Sequence, residues 1–180
     1  MSDAKKKHAK QATAHAPAAQ PPVPTGRKTS WWIPWPPVIY VVAIVASLVL
    51  HALYPLPWFG SPMSDILVPV GWLALLAMAG LFFTALRALA RAKTPVNPNA
   101  QPEHLVTEGP FGITRNPIYL ADTLLLIGVG LVSGITWFLP LALIAAFVTK
   151  KVAIDKEERW LADKFSKRYR DYAKRVRRWI

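Results

Sequence analysis

Residues 35–54, WPPVIYVVAIVASLVLHALY, and residues 66–86, ILVPVGWLALLAMAGLFFTAL, decide the fold. Neither run contains Lys, Arg, Asp or Glu. Each is about 20 residues long, and as a helix that length crosses a hydrocarbon core of ~30 Å. Aromatic residues cluster at both ends of the first run, as is typical of the two interfaces of a membrane. The two runs therefore predict two transmembrane helices.

Two shorter apolar runs follow a polar stretch, at residues 118–133 and 135–149. Ser133-Gly134 joins them, which predicts a tight helical hairpin. Each arm of about 16 residues spans only ~24 Å. The sequence therefore leaves open whether the hairpin crosses the bilayer completely or stops short of the far face. The predicted fold class is an all-α integral membrane protein with about four transmembrane helices, two of them in the hairpin.

The distribution of charge predicts the orientation of these helices. The chain has 22 Lys and Arg and a formal net charge of +12, and all the basic residues fall in three segments: 1–28, 87–115 and 150–178. The positive-inside rule places these segments on the cytoplasmic side, so both termini are cytoplasmic. We expect the protein in a bacterial inner (plasma) membrane. Because the basic residues flank apolar spans and do not form a soluble basic face, nucleic-acid binding is disfavoured.

These patterns divide the chain into three parts. Residues 1–30 are predicted to be a disordered basic tail, and residues 31–93 to hold the first two transmembrane helices. Residues 94–180 are predicted to contain a cytoplasmic loop, the hairpin and a final charged helix. Within residues 150–180 apolar side chains recur every three or four positions, at Ile154, Leu161, Phe165, Tyr169, Tyr172 and Val176. This stripe predicts an amphipathic C-terminal helix lying along the cytoplasmic interface.

Several site types are excluded or disfavoured by composition. There is no cysteine and there are only four histidines, so disulfides and thiolate sites are excluded and no metal site is expected. The predicted spans carry almost no ionisable residue, which disfavours a transporter. Asp122, near the start of the third span, either faces a ligand cavity or caps its helix.

Two cytoplasmic stretches are richer in chemistry than topology requires. Residues 104–119, HLVTEGPFGITRNPIY, place Pro117 at the start of the third helix. A helix start attracts an anionic group, and Arg115 would reinforce that attraction, although a plain basic flank explains the same residues. In the second stretch, residues 155–159, Glu157 and Glu158 could bind hydroxyls or a cationic group. The alternative for this pair is ion pairing with neighbouring basic residues, for which we expect Lys151, Arg159 or Lys164.

Together the two stretches resemble a known family. Leu-Val-Thr-x-Gly-Pro-Phe-x-x-x-Arg-Asn-Pro-x-Tyr, a hairpin, Glu-Glu-x-x-Leu-x-x-x-Phe-x-x-x-Tyr-x-x-Tyr and Arg-Val-x-Arg-Trp-Ile resemble the isoprenylcysteine carboxyl methyltransferases and their phospholipid N-methyltransferase relatives, over about residues 97–180. The resemblance implies that S-adenosylmethionine binds between the loop before the hairpin and the helix after it. The implied cofactor-binding residues are His104, Leu105, Val106, Phe111, Arg115, Asn116, Pro117, Ile118, Tyr119 and one or both of Glu157 and Glu158, with Glu157 favoured. No catalytic acid or base is identified, since methyl transfer by direct displacement needs alignment above all.

Two departures from the family pattern bear on the methyl acceptor. The eukaryotic prenylcysteine enzymes have His where Asn116 stands, and an Arg one turn before the glutamate pair where this chain has Ala153. The resemblance implies a lipophilic acceptor with an isoprenylcysteine-like carboxylate, and a phospholipid amine headgroup is the alternative. A non-catalytic membrane scaffold that binds anionic lipid or a partner is the third possibility.

Overall fold

The computed structural model describes residues 35–93 and 104–179, and the secondary structure of these ranges is helical. The α-helices in them are α1 (Trp35–Leu53), α2 (Met63–Arg91), α3 (Pro117–Ser133), α4 (Phe138–Thr149) and α5 (Asp155–Arg175). A 3-10 turn, Gly109–Gly112, precedes α3, and a π-helical turn, Lys150–Ile154, joins α4 to α5. The predicted basic tail of residues 1–30 lies outside the described residues.

Helices α1 and α2 are long and apolar enough to cross a membrane. Most of the apolar surface of both helices is not buried by the rest of the protein, and Leu76 and Phe83, for example, are 67% and 70% exposed. A core helix of a soluble protein would bury these side chains. Helix α2 continues to Arg91, five residues beyond the predicted span. The additional residues, which include Arg87 and Arg91, belong to the same helix.

Helix α3 packs closely on α2 where two glycines face each other. A Cβ on Gly128 would lie 3.0 Å from the carbonyl oxygen of Gly71 and 2.7 Å from the side chain of Leu75. A Cβ on Gly71 would lie 2.8 Å from the Cβ of Leu131. The missing side chains therefore let the two backbones approach, as small residues do between membrane helices.

The α3–α4 hairpin reaches the end of the bundle where α1 and α2 are connected. Gly134 ends α3 in the left-handed conformation, with φ +72°, and the indole of Trp58 lies over it. The hydroxyl of Thr136 donates to the carbonyl of Pro57 at 3.1 Å, and the indole N–H of Trp137 donates to the carbonyl of Tyr54 at 2.8 Å. The hairpin thus extends along the bundle as far as the α1–α2 connection. The sequence alone had left this reach open.

Helix α1 closes the other side of the hairpin. Its buried Tyr40 and Ala43 form one cluster with Leu126 of α3 and with Phe138, Ala142 and Ala145 of α4. The Tyr40 hydroxyl also bonds the Thr123 hydroxyl at 2.8 Å. This cluster fixes α3, whose first turn carries predicted site residues.

The C-terminal segment differs from the single helix predicted for residues 150–180. Helix α5 is interrupted at Ser166 (φ 43°, ψ −112°), and the chain becomes extended at Val176, so the prediction of a helix to the end of the chain is wrong. The extended residues return to the loop before α3, where their carbonyls accept hydrogen bonds. Three members of the predicted apolar stripe, Tyr169, Tyr172 and Val176, form a buried cluster on which Leu105 packs. This part of the stripe therefore packs against the protein's own loop.

Candidate functional site

The loop before α3 is shaped by its Gly-Pro and Asn-Pro pairs. Gly109 adopts a φ of +61° and Pro110 is buried in the 3-10 turn, which contacts α2. The Thr114 hydroxyl accepts a bond from the backbone N–H of Asn116 at 3.2 Å and donates to the carbonyl of Arg178 at 3.1 Å. These bonds set the direction in which the chain enters α3 at Pro117.

The extended backbone after α5 holds this loop from the other side. The backbone N–H of Arg115 donates to the carbonyl of Arg177 at 3.0 Å, and the side-chain amide of Asn116 donates to the carbonyl of Arg178 at 3.0 Å. The Tyr172 hydroxyl donates to the carbonyl of Phe111 at 2.6 Å. Three separate backbone carbonyls therefore tie the loop to the end of the chain.

Glu157 joins the loop to α5 in a different way. The hydroxyl of Tyr119, in the first turn of α3, donates to the Glu157 carboxylate at 2.5 Å. The two residues are separated by the whole hairpin in sequence. Among the described residues, this bond is the single hydrogen bond or ion pair of the Glu157 side chain, which leaves one carboxylate oxygen for a ligand.

The protonation of Glu157 is shifted by its surroundings. Burial raises the pKa of this carboxyl above its ordinary value of 4.5, and the neighbouring charge of Glu158 raises it further, while the bond from Tyr119 opposes both. Burial dominates, so the net direction is upward. A cationic group bound beside Glu157 would favour the ionised carboxylate.

Glu158 belongs to an ion-pair network that we call the C-terminal clasp, made of Arg115, Asp155, Glu158 and Arg178. The guanidinium of Arg178 bonds both oxygens of Glu158, at 3.0 and 2.5 Å, and lies 3.1 Å from Asp155. Arg115 lies 3.3 Å from Glu158. Both arginines are partly buried, and the two-pronged contact is the geometry in which Arg–carboxylate pairs are strongest.

The clasp changes the expected roles of Arg115 and Glu158. Ion pairing was the alternative for the glutamates, and Glu158 does pair, but with Arg115 and Arg178 and not with Lys151, Arg159 or Lys164. The expected partners lie on the same helical segment, whereas the observed ones arrive from the loop and the C-terminus, which local spacing does not reveal. Glu158 is paired with two arginines, whereas Glu157 keeps one carboxylate oxygen that no described residue bonds.

The remaining predicted site residues differ in their exposure. Asn116 and Pro117 are buried at the start of α3, and Leu105, Val106, Phe111 and Ile118 are half-buried. His104 is exposed. The contacts of the described residues bring Arg115, Asn116, Tyr119, Glu157 and Glu158 together, whereas His104 and Val106 have no hydrogen bond or ion pair to the glutamate pair there.

The start of α3 offers a second binding feature. Asn116 precedes the helix but makes no side-chain capping bond, and Pro117 has no N–H. The N–H groups of Ile118 and Tyr119 are therefore left without a side-chain cap at the positive end of the helix dipole. An anionic group can bind there, next to Tyr119, whose hydroxyl bonds the Glu157 carboxylate.

Sequence reasoning missed Thr114, Tyr172 and Arg178, which hold the loop. A signal was present in Arg-Val-x-Arg-Trp-Ile, the last part of the family pattern, which includes Arg178. Nothing in that pattern alone indicates that its residues return to the loop 62 to 64 residues earlier.

Comparison with known proteins defines the class. Residues 66–168 match the model of the phospholipid methyltransferase family. The match covers more than half of the chain, and the chain therefore belongs to this family of membrane methyltransferases. Neither a search of curated proteins nor one of solved structures gives a match.

Proposed function

We propose that this protein is an S-adenosylmethionine-dependent methyltransferase that acts on a lipophilic acceptor at the cytoplasmic face of a membrane. The observation that carries the proposal is the Tyr119–Glu157 hydrogen bond. It joins residues 104–119 to residues 155–159, the two stretches that the sequence singled out. The chain belongs to a methyltransferase family. A scaffold protein has no need for a carboxylate held beside an uncapped helix start.

The membrane setting rests on apolar surface and on charge. Helices α1 and α2 have the length and composition of membrane spans, and the hairpin tip contacts the connection between them. We infer four spans, with both termini and the loop before α3 in the cytoplasm. The basic residues at 87–115 and 150–178 lie next to the opposite end of the bundle from that tip.

The residues at the site fit S-adenosylmethionine. The start of α3 suits its carboxylate, Glu157 suits its ammonium or ribose hydroxyls, and Phe111 and Tyr119 supply aromatic faces. When bound, this cofactor supplies an electrophilic methyl group on a sulfonium. The protein's own contribution is to hold and orient: the C-terminal clasp fixes the loop, and the Tyr119–Glu157 bond fixes the start of α3 against α5.

Calorimetry in neutral detergent with S-adenosylhomocysteine tests the proposal. Wild-type protein is expected to bind, and Glu157→Ala is expected to lose at least about tenfold in affinity, in line with the loss of a charged partner. Glu108→Ala is the matched control, because Glu108 is an exposed carboxylate of the same loop with no side-chain cap bond. Absence of binding by the wild type, or equal binding by Glu157→Ala, contradicts the proposal and favours a scaffold.

Two acceptors remain in question, an isoprenylcysteine-like carboxylate and a phospholipid amine. The second is favoured by the family match, and by Ala153, a buried small residue where a guanidinium for a carboxylate acceptor would be expected. Lipid extracts labelled by methyl-tritiated cofactor distinguish them, because label enters either a headgroup amine or a methyl ester that mild base removes.

A further inference from the structure

The chain after Ser166 differs in charge from the first half of α5. Residues 155–165 hold three basic and four acidic residues, whereas residues 167–177 hold six basic residues and one acidic residue, Asp171. We call these six the basic face: Lys167, Arg168, Arg170, Lys174, Arg175 and Arg177. All six are exposed, and within residues 35–93 and 104–179 none of them forms an ion pair. The candidate site makes no use of their side chains.

Part of the basic face lies opposite the side of the helix that packs on the protein. Tyr169 and Tyr172 are buried, and their hydroxyls bond Arg115 and Phe111 of the loop before α3. The exposed basic residues two positions away from these tyrosines are about 200° around the helix axis from them. They are Lys167, Arg170 and Lys174. The apolar side of this segment is thus occupied within the protein, and the side left for a partner is charged.

The end of the basic face lies beside the start of an inferred span. The backbone N–H of Arg115 donates to the carbonyl of Arg177 at 3.0 Å. Arg115 precedes Pro117, the first residue of α3, by two positions, which is at most about 7 Å of chain. The headgroup layer on each side of a bilayer is about 5 to 8 Å thick. Because α3 is inferred to cross the membrane, Arg177 lies at the depth of the headgroups.

An exposed apolar residue lies next to this point. Ile113 is 69% exposed, and among the described residues it is the one large exposed hydrophobic side chain outside α1, α2, α4 and the α1–α2 connection. The next residue, Thr114, donates to the carbonyl of Arg178 at 3.1 Å, so Ile113 lies near the end of the basic face. Basic side chains beside an exposed apolar one are typical of a surface that contacts a membrane interface.

We propose that the basic face binds the headgroups of anionic phospholipids on the cytoplasmic side of the membrane. An anionic leaflet attracts clusters of Lys and Arg, and the attraction acts over about 8 Å at physiological salt. Ile113 favours a lipid over a nucleic acid, because its side chain can enter the apolar boundary of a bilayer. This inference goes beyond methyl transfer and does not depend on it.

Competition between two lipids that differ in headgroup charge tests the proposal. Purified full-length protein in neutral detergent is mixed with equimolar dioleoyl phosphatidylglycerol and dioleoyl phosphatidylcholine, and native mass spectrometry counts the bound lipids. The wild type is expected to prefer the glycerol lipid by at least about tenfold, and Arg170→Gln/Lys174→Gln to lower this preference at least about fivefold. The matched control, Arg159→Gln/Lys164→Gln, removes the same charge from exposed positions before Ser166 and is expected to keep most of the preference.

A second pair of variants changes the preference in the opposite direction. Asp171→Asn removes the one acidic residue of the segment and is expected to raise the preference for the anionic lipid by about twofold. Asp163→Asn, at an exposed carboxylate before Ser166, is expected to leave it unchanged. This pair remains informative if the double variant fails to fold.

Three results would overturn the inference. In the first, the wild type binds the two lipids equally. In the second, each basic-face variant changes the preference no more than its control does, so that the overall charge of the protein accounts for the binding. In the third, glycerol 3-phosphate at the concentration of the lipid displaces phosphatidylglycerol, which would assign the surface to free phosphate.

Discussion

At the tip of the hairpin the described contacts involve no charged side chain, whereas at its other end four charged side chains form one network. Trp58 covers Gly134, and Thr136 and Trp137 bond backbone carbonyls of the α1–α2 connection. At the start of α3, by contrast, the C-terminal clasp joins three separate parts of the chain. One end fixes the position of the hairpin, and the other also holds the Glu157 carboxylate, which has an oxygen that no described residue bonds.

The two ends of the hairpin differ in whether a substitution there can change ligand binding without loss of fold. The tip is stabilised by backbone carbonyls, a hydroxyl and indole rings. None of these groups carries a charge that a cofactor could bind. The carboxylates of the clasp are paired within the protein, and next to Glu158 lies Glu157, a carboxylate with a free acceptor oxygen among the described residues. Substitutions at the two ends should therefore differ in their effect on ligand affinity more than in their effect on stability.

The largest expected effect comes from Arg178→Ala, which removes the centre of the clasp. Asp155 loses this partner and Glu158 loses one of its two arginines, and we expect the free energy of unfolding to fall by about 2 kcal/mol. The affinity for S-adenosylhomocysteine should fall at least about tenfold, because the loop is no longer held. Calorimetry and thermal unfolding in detergent measure the two effects.

The neighbouring Arg177 provides the control for this substitution. Its side chain is exposed, and its backbone carbonyl makes the contact with Arg115. Arg177→Ala should therefore change neither the free energy of unfolding nor the affinity for S-adenosylhomocysteine by much. Arg178→Lys should recover part of the stability but not the two-pronged bond. Equal effects of Arg177→Ala and Arg178→Ala would contradict the role given to the clasp.

At the tip, Gly134→Ala is expected to lower stability by about 1 kcal/mol, because a side chain is strained at a φ of +72°. The added Cβ would also lie 3.3 Å from Trp58. Affinity for S-adenosylhomocysteine should stay at the wild-type value. Gly80→Ala, in the middle of α2 with nothing within 4 Å of the new atom, should be neutral or slightly stabilising. A loss of ligand affinity in Gly134→Ala would remove the distinction between the two ends.

The smallest expected effect is a pH dependence that belongs to Glu157. Since burial raises its pKa in the folded protein, the folded state holds this proton more tightly than the unfolded state does. The stability from this group is therefore present below about pH 4.5 and is lost as the pH rises through the folded-state pKa. Between pH 5 and 7 the melting temperature of the wild type should fall relative to Glu157→Gln by about 2 °C. Glu108→Gln, at an exposed carboxylate, should keep the wild-type slope; a Glu157→Gln slope identical to wild type would contradict the shift.

Local sequence patterns predicted the helices well and their ends less well. The apolar runs gave α1, α2 and the hairpin within a few residues, because hydrocarbon length and turn chemistry act locally. The interruption at Ser166 and the extended chain after Arg175 were not foreseen. The extended residues after Arg175 contact the loop before α3, and an apolar stripe carries no information on where such a partner lies.

For the candidate site, the sequence singled out two stretches that the structure brings into contact, but it could not distinguish the contacts of the individual residues within them. Glu157 and Glu158 are adjacent and chemically identical, yet one bonds Tyr119 and the other is held by two arginines. That division follows from the direction of each side chain on α5 and from the return of the C-terminus. The family pattern indicated that these residues belong together, and three-dimensional contacts supply the reason.

The most direct test of the central claim is a double-mutant cycle on S-adenosylhomocysteine affinity with Tyr119→Phe, Glu157→Gln and the double variant. If the Tyr119–Glu157 bond makes the loop and α5 into one site, the two substitutions should be coupled by about 1 kcal/mol or more. The double variant would then bind little worse than the weaker single variant. Effects that add within about 0.3 kcal/mol would contradict the account, because the two residues would then act independently.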